Sequence, residues 1–97
     1  MTDKELLELA AKAAGIEVVT PTMLEYGKWN PLEDDGDALR LAVKLGMMMY
    51  ICQPNDGIGV HITEINRMFK ERHKEDPYAA TRRAIVRAAA EIGKAMQ

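Results

Sequence analysis

The sequence is poor in the residues that staple a small protein, hold a metal or anchor it in a bilayer. One cysteine, Cys52, occurs in 97 residues, which excludes an intrachain disulfide framework and a cysteine-based zinc cage. No uninterrupted apolar run approaches the roughly 20 residues that cross a bilayer. The acidic start, Met1-Thr2-Asp3-Lys4-Glu5, lacks the basic end and apolar stretch of a signal peptide, so a cytoplasmic chain without a membrane anchor is expected. Positive charge is not in excess: 13 Lys and Arg stand against 15 Asp and Glu, for a net charge of −2. A glycine-rich phosphate loop, a serine elbow and a His-x-x-x-His helical pair are all missing, so neither an enzyme nor a cofactor is expected. What is present is 47% hydrophobic and 29% charged, too apolar and too weakly charged for a disordered chain. A chain of this length forms one domain, over 1–97, and buries roughly 60–70% of its unfolded surface.

The mild total conceals an uneven distribution. Residues 1–60 hold five basic and ten acidic side chains, and residues 61–97 hold eight basic and five acidic ones. An acidic front and a basic back can steer a partner or bind anions. They can equally pair with each other.

Thr2-Asp3-Lys4-Glu5 matches a capping box, and Leu6, Leu7, Leu9, Ala10, Ala13 and Ala14 share one side of the helix that follows, over 3–14, up to a stop at Gly15. Ile16-Glu17-Val18-Val19-Thr20 reads as a short strand before Pro21, and 21–33 as a loop that Leu24, Tyr26, Trp29 and Leu32 pack onto the core. Asp34 or Asp35 caps a second helix that ends at Gly46. Its face of Ala38, Leu41, Ala42 and Leu45 is widened by Leu39 and Val43, which predicts burial on more than one side. Met47-Met48-Met49-Tyr50-Ile51-Cys52 is a continuous apolar run and predicts a central strand covered on both faces. Pro54-Asn55-Asp56-Gly57 is a turn signal. Ile58, Val60 and Ile62 then alternate with smaller and polar residues, so 47–63 reads as a hairpin at the sheet's centre. Residues 64–75 fit either a helical turn or a further edge strand. Asp76-Pro77 starts a last helix, to about Ala95, with Tyr78, Thr81, Ile85, Ala88, Ala89, Ile92 and Met96 on one face and alanines that permit close approach on others. The expected class is α+β, in the order α-β-α-β-β-(β)-α, with a small, mostly antiparallel sheet sandwiched by helices.

Several groups invite a functional reading. Glu33-Asp34-Asp35-Gly36-Asp37 lacks the alternating ligand spacing of a calcium loop, and a capped helix start accounts for it. His61, Glu64 and His73 do not have metal-site spacing, and Cys52 reads as a buried thiol. Arg83, Arg87 and Lys94 fall on one stripe opposite the apolar face of the last helix. They suit phosphates or an acidic partner, or an ordinary solvated face, and Arg67, Lys70, Arg72 and Lys74 would add to the field if close by. Arg82 lies nearer the apolar edge, where its stem covers core. Trp29 is either a recognition anchor or a cap on a small core.

Two blocks, Trp29-Asn30-Pro31-Leu32 with Asp34 through Leu45, and Asp76 through Gly93, together with Leu9 through Ile16, resemble the phage ABA-sandwich family of small bacteriophage and prophage proteins. The resemblance spans about half of the chain and leaves out Tyr50 to Glu75. It implies helices on both faces of a sheet and a setting in the cytoplasm of an infected or lysogenic bacterium. It transfers no catalytic residue and no cofactor.

The first functional expectation is therefore a non-catalytic phage accessory protein that binds a host or phage macromolecule, with a homodimer as one arrangement. The second is nucleic-acid binding through the basic helix face. From residue 34 on, the order of helix, strands and basic alanine-rich helix is similar to that of a double-stranded-RNA-binding domain. The third is a small-molecule site or an enzyme, which a pocket converging on Trp29, His61 or the 33–37 acids would favour.

Overall fold

A computed structural model of the chain describes residues 1–16, 29–52, 57–62, 66–72 and 76–96. Residues 17–20 of the strand expected over 16–20, residues 21–28 of the loop expected over 21–33 and most of the turn 54–57 fall outside these residues. The described elements are α1 (Asp3–Ala13), α2 (Asp35–Lys44), β1 (Met48–Cys52), β2 (Gly57–Ile62), β3 (Arg67–Glu71) and α3 (Pro77–Ala95). The class is α+β, and the undecided stretch 64–75 supplies the further edge strand.

Each helix begins where its sequence signal places it. The Thr2 hydroxyl accepts the Glu5 amide N–H at 3.1 Å, and Glu5 answers through its carboxylate on the same hydroxyl. Asp34 accepts the Asp37 N–H at 2.7 Å, and Asp76 accepts both the Tyr78 and Ala79 N–H groups at 3.0 Å. These caps satisfy amides that have no partner inside the helix. Gly15, at φ +76°, and Gly46, at φ +64°, follow α1 and α2 in the left-handed region that glycine enters without steric penalty.

The three strands pair antiparallel in the order β1-β2-β3, with Tyr50 opposite Gly59 and Val60 opposite Phe69. This corrects the expectation for 47–52. Among the described residues β1 is an edge strand and β2 the centre, and Met48, Met49, Tyr50 and Ile51 are all exposed. An apolar run without alternation carries no record of which side is covered, so it could not distinguish an edge from a centre.

β2 does alternate, and its reading holds. Ile58, Val60 and Ile62 point to one face with Phe69 and meet Ile85 and Val86 of α3. α3 lies over β2 and β3, while α1 packs along α3 and α2 packs against its other flank. Ala84, Ala88, Ala89 and Ala90 are fully or nearly fully buried in α3, which lets its neighbours come close. Among the described residues the helices all lie on that one face. The opposite face carries Tyr50, Gly59, His61, Met68 and Lys70, with no described element upon it.

Four further apolar residues change assignment. Leu39 is 54% and Val43 72% exposed, so α2 is buried on one side only. Tyr78 and Met96, expected on the core face of α3, are exposed as well. Tyr78 lies in the first turn of α3 and Met96 at its C-cap. Helical spacing gives an angle around the axis and does not give the length over which a neighbour runs alongside.

Candidate functional site

The residues singled out by sequence fall into three places. Trp29 is half-buried and packed against the core, as a cap on it. The acids of 33–37 organise the start of α2. Asp37 accepts the Asn30 N–H at 2.9 Å and Arg40 at 2.7 Å, Asp34 caps the helix, and Asp35 pairs with Arg82 at 2.6 Å. His61 is half-buried, with Nε2 3.4 Å from the Asn66 side-chain oxygen. Glu64, His73 and the Cys52 side chain lie outside the described residues. Among those described, no three of His, Cys, Asp or Glu gather as a metal-holding group.

The basic stripe does form, but in a seam and not on an open face. Arg83 reaches Asp3 of α1 at 3.2 Å, and Arg87 pairs with Glu71 of β3 and donates to the Lys70 carbonyl at 3.0 Å. Lys94 is exposed at the end of the stripe. Arg67 joins from β3, stacked 5.0 Å from the Phe69 ring centroid and 3.4 Å from Glu91. Arg67, Arg87 and Lys94 line a cavity of about 210 Å³ floored by Leu6, Phe69 and Ala90. Two of its three cations are already held by carboxylates, which lowers the field it offers an outside anion.

The larger cavity, about 350 Å³, was not indicated by any motif. It is a groove between α2, β1 and the N-terminal half of α3. Ala38 and Leu39 form one wall, Tyr78, Thr81 and Ile85 the other, and Met49 and Ile51 of β1 the floor. Among the described residues β1 is the sheet edge and α3 sits over β2 and β3, which leaves these two floor side chains exposed. Leu39, Met49, Ile51 and Tyr78 are all exposed. One end is fixed by Arg82, whose side chain is 16% exposed, with Nε donating to the Leu32 carbonyl at 2.8 Å and the guanidinium on Asp35. That bond ties α2 to α3 and sets the groove's width.

No protein family model, curated protein or solved structure matches this chain. The described order from residue 35 onward is α-β-β-β-α, with α1 packed along α3.

A signal for the groove was present in the sequence. Leu39 widens the apolar face of α2 beyond what one buried side requires, and Tyr78 directly follows the Asp76-Pro77 start. Both look like core in the sequence, because an apolar residue at helical spacing usually is. None of the helices among the described residues is long and apolar enough to cross a membrane.

Proposed function

We propose that the protein is a non-catalytic binding module that engages a macromolecular partner through the groove between α2, β1 and α3. The observation that carries this is the convergence of four exposed apolar side chains, from three elements, on one cavity. Small proteins seldom leave contiguous apolar surface in water unless something covers it. The resemblance to phage proteins supports a setting in the cytoplasm of an infected or lysogenic bacterium, and a host or phage protein as the partner.

A photo-reactive benzoylphenylalanine placed at position 39 or 78 and irradiated in phage-infected bacteria tests the reading. A discrete adduct from both groove positions, and none from exposed Lys12 on α1, is expected. Adducts from position 12 alone, or from no position, would reject the module.

Nucleic-acid binding is the second reading, favoured by the α-β-β-β-α order and by the meeting of Arg67, Arg87 and Lys94 at one cavity. Duplex RNA and DNA titrated at low and moderate salt distinguish it. Steeply salt-dependent binding that is lost in Arg83→Glu/Arg87→Glu would support it. No binding at low salt would end it.

A further inference from the structure

We infer that the sheet face turned away from the helices carries a site for a soft monovalent cation of the Cu(I) type, formed by Met48, His61 and Met68. It lies on the other side of the sheet from the groove and does not depend on it. The strand register places Met48 directly opposite His61, and His61 directly opposite Met68. The three residues form one row across β1, β2 and β3, with an imidazole between two thioethers. Both methionines are exposed and His61 is half-buried. Directly opposed residues have Cβ atoms about 4.5–5.5 Å apart, a gap that the long, flexible methionine side chain spans.

Two details prepare this row. Gly59 lies two residues before His61 on the same face of β2, and a Cβ there would stand 2.9 Å from Met68 Sδ. The bare glycine lets the Met68 thioether lie down over β2, the strand that carries the imidazole. His61 Nε2 is 3.4 Å from Asn66 Oδ1. With that oxygen as acceptor, the ring proton sits on Nε2 and Nδ1 keeps its lone pair. A histidine that ligates a metal through one nitrogen commonly donates its other N–H to such an oxygen. Asn66 takes φ +49°, a left-handed backbone that asparagine tolerates, immediately before β3.

The donor set chooses the ion. Thioether sulfur selects Cu(I), and imidazole suits copper as well. All three donors are uncharged, so they offset little of the charge of a divalent cation. Lys70, exposed on the same face two residues along β3 from Met68, opposes a doubly charged ion further. The three ligands are far apart in sequence and meet only through the strand register. Metal-site spacing is therefore invisible in the chain itself.

Ag(I), a soft monovalent ion that needs no reductant, is titrated into the full chain labelled with carbon-13 at the methionine methyl groups. The chain carries Cys52→Ala, because its single thiol would compete for the metal. The methyl signals of Met48 and Met68 and the His61 ring signals should move together and stop at one equivalent. Those of Met49, on the opposite face of β1, and of Met96 should stay. Affinity should fall about tenfold or more in His61→Gln and in Met68→Leu, which removes sulfur at nearly constant volume. Circular dichroism reports that the variants are folded. If Cys52→Ala does not fold, the unaltered chain should show the same shifts after the thiol has taken the first equivalent.

Methionine signals that all move in parallel, or none that move, would overturn the inference. So would an affinity unchanged in both His61→Gln and Met68→Leu. Excess Zn(II) should leave bound Ag(I) in place, and displacement by Zn(II) would overturn the assignment to a soft monovalent ion.

Discussion

Gly93 sits where α1 and α3 come closest, and a Cβ at that position would overlap the Leu9 carbonyl oxygen. The obstacle is backbone and cannot rotate away, so the helices must separate. Gly93→Ala should cost about 1–3 kcal/mol, at the upper end of the range for overpacking. Gly46→Ala meets nothing within 4 Å and carries only the strain of φ +64°, about 1–2 kcal/mol. Urea unfolding of the two variants should rank them in that order. Arg82 offers a second single-residue test. Removing it in Arg82→Met leaves the Leu32 carbonyl and Asp35 without their partner, at about 1–3 kcal/mol. Asp35→Asn keeps a hydrogen-bond acceptor and changes a carboxylate that is 72% exposed, so it should cost less than about 1 kcal/mol.

Within the sheet, Ile51 and Ile58 stand directly opposite each other on β1 and β2, yet one is 59% and the other 2% exposed. The difference comes from what lies above. α3 packs over β2, and among the described residues no helix packs comparably on β1. Ile58→Ala should therefore lose about 2–5 kcal/mol in denaturant unfolding, whereas Ile51→Ala should stay within about 0.5 kcal/mol. Equal losses at the two positions would mean that β1 is covered in solution. The alternation of β2 made its buried face readable from sequence. The unbroken run of β1 left its exposure to be decided by where the helices lie.

Across the whole molecule, the acidic front and basic back are joined by two pairs distant in sequence, Asp3 with Arg83 and Asp35 with Arg82. The uneven charge is thus spent partly on the protein's own contacts. Each pair has a solvent-exposed partner and is worth roughly 0.2–1 kcal/mol. These two pairs should then account for less than about 2 kcal/mol of the unfolding free energy lost as salt is raised, with cooperativity unchanged. A larger loss, or a split transition, would show that charge pairing and not the apolar core holds α1 and α2 to α3.

Local signals by themselves determined the three helix starts, the glycine stops after α1 and α2, the inward face of β2 and the α+β order. Each depends on side chains within a few residues of the backbone groups they satisfy, or on a period that the chain itself carries. Arg82 was placed near the core edge for the same reason. Tertiary structure alone decided that β1 lies at the edge, that Leu39, Val43 and Tyr78 face water, and that Arg83 and Arg87 lie in a seam with Asp3 and Glu71. Those outcomes turn on which element lies over which, and residues as far as 80 positions apart in sequence settle them. The groove is a product of the same arrangement. Its apolar residues were visible one by one, but a cavity exists only when three elements meet and leave a gap.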